Sequence, residues 1–410
     1  MQDLLEQRDS LTGRRPVEGT ESARLTPPHS TLPPSVSPSA APRVECIERE
    51  PTHGVRPPPR VALVAASLEI LGGQGIQARA LIQGLEQEGY AISFIPINPV
   101  FPRGLRWLRR YRYIRTLLNQ ALYFPSLAAL RRADVVHVFS ASYWSFLLAP
   151  VPAMLAARLF GKRIVLHYHS GEAEDHLINW GVLVHPWLRL ADEIVVPSEY
   201  LREVFARHGY RARAIRNVVD TVQFRYRDRA TLHPRLLSVR NFERHYRVDV
   251  ILQAFARLKT RFPGATLTLA GEGSEEERLR RLAALLVPDG IRFVGRVDPR
   301  RMPGLYDEAD IFVNASVIDN QPVSVLEAFA AGLPVVTTAT GDIASMVCDG
   351  ETGLIVREED PIATVEAVIA LLENPECAAR IARCARAEVE RYAWPHVRNA
   401  WGSVYAGLVS

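Results

Sequence analysis

Short apolar runs alternate along the chain with stretches of helical period. Arg60-Val61-Ala62-Leu63-Val64-Ala65 reads as a buried strand, followed by the loop Gly72-Gly73-Gln74-Gly75 and an amphipathic helix through Leu85. The runs AISFIPI, DVVHVFS, RIVLHYH, EIVVPS and AIRNVV then recur between helical stretches, and the pattern restarts at Arg235-Leu236-Leu237-Ser238-Val239 with ATLTLAG, IRFVG, DIFVNAS, LPVVTT and GLIV. Strands alternating with helices predict parallel sheets covered on both faces. The chain therefore reads as α/β, with two doubly wound units over residues 59–222 and 223–388 and a joint near Asp220 to Arg229. Such sheets take ligands at the carboxyl ends of their strands, so two facing units predict a cleft between them. Residues 389–410, including WPHVRNAWGSVYAGL, read as a helix packing back on the first unit. Residues 1–58 are rich in Pro and Ser and bury too little apolar surface to offset ordering, which predicts a disordered extension.

One stretch departs from the core pattern. SVIDNQPVSVLEAFAAGLPVV, residues 316–336, places Asp319 and Glu327 on either side of an apolar run. DIFVNAS predicts a strand, VIDNQ a loop, and Pro322 the first turn of a helix that runs to Ala331 and stops at Gly332. Asp319 then stands before the helix and Glu327 inside it, with the first-turn N–H groups of Val323 and Ser324 between them, free to meet an anion. Asp319 reads equally well as a helix cap. A glutamate within an apolar helix is costly unless paired or ligand-bound, which favours a binding role for Glu327.

Composition narrows the class. At 410 residues the chain exceeds one ordinary core and fits a two-domain enzyme. A net charge of +4 argues against a nucleic-acid partner. Cys46, Cys348, Cys377 and Cys384 form no metal-binding or disulfide pattern, which suggests a reducing, cytoplasmic compartment. The amino terminus lacks the apolar core of a secretory signal, and the most apolar window, 146–160, is too short to span a bilayer. Residues 103–122 combine Leu108, Tyr111, Ile114, Leu118 and Leu122 at helical spacing with Arg103, Arg106, Arg109, Arg110, Arg112 and Arg115. Two readings stand side by side: a peripheral contact with an anionic membrane, at its inner face, or the solvated face of a core helix.

The Asp319 to Glu327 element, EAFAAGLPVV and DGETGLIV resemble the corresponding region of the retaining glycosyltransferases of family 4, which have the GT-B fold of two Rossmann-like domains facing an interdomain cleft. The glycine loop at 72–75, VVPSEYL, FVGRV and LYDEADIFVNAS support the likeness in this order, over nearly the whole chain from about residue 60. Nicotinamide redox chemistry is disfavoured, because Gly72-Gly73-Gln74-Gly75 does not give the dinucleotide fingerprint.

The resemblance implies transfer of a sugar from a nucleoside diphosphate donor to a hydroxyl of a glycan, lipid-linked or small-molecule acceptor, with no separate cofactor and no metal ion. It places Glu327 on the ribose hydroxyls, Asp319 on the donor sugar, Arg240 on the diphosphate and His169, in HYHSG, near the sugar; Asn320, Val323, Ser324 and Gly295 join the donor-binding set. Gly72, Gly73, Gln74 and Gly75 would let backbone approach donor or acceptor. Read without the family, Arg240 could instead form an interdomain salt bridge, and His169 a structural contact; the binding role is favoured for both. Where the family carries Lys-Gly after its arginine, this chain reads Tyr246-Arg247, leaving Arg244 or Arg247 as candidate second phosphate cations. Gly341-Asp342-Ile343-Ala344-Ser345 also departs from the usual Gly-Gly-Ile-Pro-Glu. A sugar-nucleotide epimerase and a non-catalytic sugar-nucleotide binder are the alternatives.

Overall fold

The computed structural model describes residues 58–68, 73–101 and 103–409. The expected extension falls almost wholly outside them, as does Gly72. Strands β1 (Val61–Ala65), β2 (Ile92–Pro96), β3 (Val135–Ser140), β4 (Arg163–Tyr168), β5 (Glu193–Val196) and β6 (Ala212–Ala214) form one parallel sheet in the order β2-β1-β3-β4-β5-β6. Strands β7 (Arg235–Val239), β8 (Thr266–Ala270), β9 (Ile291–Gly295), β10 (Ile311–Val313), β11 (Val335–Thr338) and β12 (Leu354–Val356) form the second, in the order β12-β11-β10-β7-β8-β9. This is the two-domain α/β arrangement of the GT-B fold.

Period-two alternation shows why both faces need cover. Ala62 and Val64 of β1 enter one buried cluster, and Val61, Leu63 and Ala65 enter another on the opposite face. Packing changes hands between Val218, buried with the first sheet, and Val219, buried with Phe224 and Tyr306 of the second half. The chain then crosses back. Tyr392 packs with the second half, whereas Val397, Trp401, Val404 and Tyr405 of the helix Trp394–Val409 close the first sheet. Gly84 makes that closure possible: a Cβ there would stand 2.4 Å from the Trp394 ring.

Two local expectations need correction. AIRNVV is not a strand beyond Ala214, because the backbone N–H of Val218 and of Asn217 donate to the side chains of Gln77 and Gln321 instead of a ladder. Gly73, Gln74 and Gly75 are not a loop but the first turn of the helix Gly73–Gln87. The buried series Gly75, Ala78, Leu81 and Leu85 carries the helical period back that far, and a Cβ at Gly73 would meet nothing.

Candidate active site

A cavity of about 550 Å³ opens between the carboxyl ends of the two sheets and is lined by residues from both. Its second-half wall is built on strand ends. Arg240 follows β7 directly and Asn314 follows β10, the neighbouring strand, so the two side chains meet: Arg240 Nε donates to Asn314 Oδ1 at 2.8 Å. The same guanidinium lies 2.6 Å from Asp319 Oδ2 and 5.2 Å over the Tyr246 ring, with only 9% of its side chain exposed. The Arg240 Nη2 contact is ion-pair proximity without hydrogen-bond geometry. Asp319 also accepts from Ser316 Oγ at 3.1 Å and from the Asn320 backbone N–H at 3.0 Å. It therefore caps no helix, and Pro322, at the cap position, offers no side-chain bond.

The loop carrying Asp319 is fastened from three directions. Thr338 and Thr340, at the end of β11, donate to the carbonyls of Ser316 and Val317. Gly341 and Gly171 leave room for its backbone, since a Cβ would stand 2.1 Å and 2.8 Å, respectively, from the Asp319 carbonyl oxygen. From the first half, Ser198 Oγ donates to Asn320 Oδ1 at 2.6 Å, and Asn217 binds Gln321 through its backbone N–H and its side-chain amide. Gln321 Nε2 in turn donates to Asp342 Oδ2 at 2.8 Å. The unusual Gly341-Asp342 pair thus serves to hold the loop.

The helix Val323–Ala331 begins at this loop and ends on Gly332, at φ 73°. Its first intrahelical donors are Val325 and Leu326, both to the Pro322 carbonyl, so the amides of Val323 and Ser324 head the cavity wall without an intrahelical acceptor. One turn further, buried Glu327 accepts from the Tyr306 hydroxyl at 2.7 Å. Burial pushes the Glu327 carboxyl up to about 7, against the opposing pull of the Tyr306 hydrogen bond and the Arg240 charge.

The first-half wall carries His169, one residue past β4. Its ring stacks on Phe139 at 5.0 Å, its backbone N–H donates to Ser140, and its buried Nε2 has no partner among the described residues. Burial lowers its pKa to about 3, so the ring is neutral near pH 7. Behind it, His167 Nδ1 and His137 Nε2 are 3.2 Å apart, and His137 Nδ1 reaches the Tyr405 hydroxyl at 2.7 Å. Ser142, Ser170 and Glu172 form a hydrogen-bonded group beside His169.

Arg240, Asp319, His169, Glu327, Val323, Ser324, Asn320, Tyr246, Gly73, Gln74 and Gly75 all border the cavity. Gly295, Arg244 and Arg247 do not. Arg247 is held by Asp249 and Glu359, at a φ of 46° that turns it out of the cavity wall. Besides Arg240, the arginines that border the cavity are Arg79 and Arg296, the latter paired with Glu272. Arg296 lies within FVGRV, one residue past the glycine singled out there. Tyr306, Asn314 and Gln321 also escaped notice as site residues; their only sequence signal is a polar residue set into an apolar run or at a strand end.

The family profile described as Glycosyl transferases group 1 matches residues 225–388, and that of Glycosyltransferase Family 4 matches residues 71–223. Glycogen synthase of Mycobacterium tuberculosis H37Rv is 32% identical over 67% of this chain and 69% of its own length. N-acetyl-alpha-D-glucosaminyl L-malate synthase of Bacillus anthracis is 24% identical over 82% of this chain and 94% of that one. Among solved structures, Anabaena HepE in complex with UDP-glucose superposes with a TM-score of 0.68 at 16% identity, over 85% of this chain and 100% of that one. Sucrose-phosphate synthase of Thermosynechococcus elongatus gives 0.68 at 21% identity, over 85% and 99%. The sequence relationship over both halves, carried on this fold, makes the chain a member of the group 1 glycosyltransferases.

Proposed function

We propose that the cavity binds a nucleoside diphosphate sugar and that the chain transfers the sugar to an acceptor hydroxyl with retention of configuration. The observation that carries this reading is the convergence of Arg240, the free first-turn amides of Val323 and Ser324, and the buried carboxylate Glu327 on one wall of the cleft. A guanidinium beside a helix amino terminus suits a diphosphate. A carboxylate one turn deeper suits the two ribose hydroxyls, because each oxygen accepts a hydrogen bond.

In this reading Asp319 turns from Arg240 to the hydroxyls of the donor sugar, and Arg240 passes to the diphosphate. The acceptor oxygen attacks C1 from the side of the departing diphosphate as the C1–O bond to that diphosphate breaks; the acceptor proton goes to a diphosphate oxygen. The charge that develops on the leaving group is met by Arg240, the helix amides and Arg296, so the reaction needs no metal ion. Neutral His169 faces the sugar from the first half and accepts or donates a hydrogen bond through its unpaired Nε2. The acceptor, a glycan or lipid-linked saccharide, enters beside Ser142, Ser170 and Glu172.

Several of the solved neighbours hold UDP or UDP-glucose, which supports a uridine or related nucleotide as the first donor to try. The test is mass balance with a panel of nucleotide sugars. Free nucleoside diphosphate formed only when an acceptor is added supports transfer, and interconversion of the sugar without release of diphosphate would favour epimerisation instead.

A further inference from the structure

The first half carries an apolar face that nothing in the described chain covers. On the helix Arg112–Ser126, Tyr113, Leu117, Ala121 and Phe124 recur at helical spacing and all point outward, Tyr113 at 82% and Leu117 at 71% exposure. This is a different stripe from the row of Leu118 and Leu122, which are half-buried. At Phe124 the stripe runs into a groove of about 560 Å³, lined only by apolar residues, among them Pro125, Leu155 and Phe160. Leu159, one turn beyond Leu155 on the helix Pro150–Leu159, is again 82% exposed.

The charge around this face is one-sided. Between Glu88 and Glu172 the sequence holds ten arginines and one lysine against a single acid, Asp134, which Arg60 engages; from outside this window Asp192 pairs with Arg158 and Arg163. Arg131 lies 4.7 Å over the Phe160 ring at the groove, and Arg110, Arg131 and Arg132 are exposed with no ion pair among the described residues. Elsewhere the chain neutralises such residues locally: Arg280 and Arg281 each pair with a glutamate one turn earlier on their own helix. A contiguous exposed apolar patch marks an interaction surface. Apolar depth beneath negative charge is the chemistry of an anionic bilayer.

We propose that this face seats the enzyme on an anionic phospholipid surface, with Tyr113, Leu117, Phe124 and Leu159 entering the acyl boundary and Arg131 and Arg132 at the phosphates. The inference uses no residue of the cleft and stands or falls apart from the sugar chemistry.

The test is co-sedimentation of the full chain with phosphatidylcholine vesicles, with and without phosphatidylglycerol. Binding is expected only to the anionic vesicles, and to fall at high salt. Leu117→Ser with Leu159→Ser, and separately Arg131→Glu with Arg132→Glu, should each lower partitioning about tenfold or more. Their melting temperatures and turnover on a water-soluble acceptor should match the unaltered chain. Equal sedimentation with both vesicle types, none with either, or binding unchanged in both double variants would overturn the proposal. So would a dimer in solution that dissociates on Leu117→Ser, which would assign the face to a second copy of the chain.

Discussion

Arg240 and Asp319, which arise 79 positions apart in the sequence, stand 2.6 Å from one another at the head of the cleft. Asn314 fixes the guanidinium by its Nε, and Ser316 and the Asn320 amide fix the carboxylate. The site thus stores its cation against its own acid. In the proposed reaction an arriving diphosphate replaces Asp319 as the partner of Arg240.

Removing that cation should damage turnover more than affinity, since leaving-group charge grows along the reaction coordinate. Arg240→Ala is expected to lower kcat about 10²- to 10³-fold. Arg240→Lys should recover little, because an ammonium cannot hold Asn314 and a diphosphate through separate edges of one planar fork. Steady-state kinetics on both variants checks this, and a kcat unchanged in Arg240→Ala would remove the leaving-group role.

Glu327 couples stability to pH in a direction fixed by its buried carboxyl. Its pKa rises from 4.5 unfolded to about 7 folded, so between those values the folded chain holds a proton that the unfolded chain releases. Its contribution to stability is therefore fully present below pH 4.5 and is lost as pH rises through 7. Glu327→Gln keeps an oxygen for the Tyr306 hydroxyl and removes the buried charge. Above pH 7 it should stabilise the fold, by an amount of order 2 kcal/mol, while donor affinity falls. Melting curves of both proteins across pH 5 to 9 check the sign: the curves should approach one another toward acid.

Tyr306→Phe isolates the hydrogen bond. That bond favours the ionised carboxylate, so its loss should move the Glu327 titration upward. In the proposed reading the donor binds the ionised form, so its affinity should weaken several-fold near pH 7 and recover at higher pH. A pH profile of the donor Kd that superposes on the unaltered one would contradict the assignment.

Gly171 probes the approach of the two halves. A methyl group there would stand 2.8 Å from the Asp319 carbonyl, so Gly171→Ala must push the loop away from the first half. The core is untouched. The expected outcome is a loss of about tenfold or more in kcat/KM with a melting temperature within a few degrees of the unaltered chain, measured in parallel.

The sheets were legible because buried parallel strands leave apolar runs, and Val335–Thr338 or Arg163–Tyr168 can hardly read otherwise. Glu327 and Asp319 were legible because acids beside an apolar helix break the pattern. What escaped were residues whose position depends on contacts distant in sequence. Tyr306 looks like an ordinary helix aromatic until the fold lays it against Glu327, 21 positions away. Asn217 sits in what reads as a strand and is instead drawn out by Gln321, 104 positions on. Arg247 looked suited to a phosphate by its place after Tyr246, and local ion pairs with Asp249 and Glu359 turn it away.

The proposed transfer rests on a diphosphate lying between Arg240 and the first-turn amides of Val323 and Ser324, with Glu327 on the ribose. A structure of the full chain with the nucleoside diphosphate that raises its melting temperature most measures this directly. Both ribose hydroxyls should lie within hydrogen-bond reach of Glu327, and Arg240 should be released from Asp319 onto the phosphate oxygens. A nucleotide bound elsewhere, or one bound in the cleft with the Arg240 to Asp319 contact intact, would contradict it.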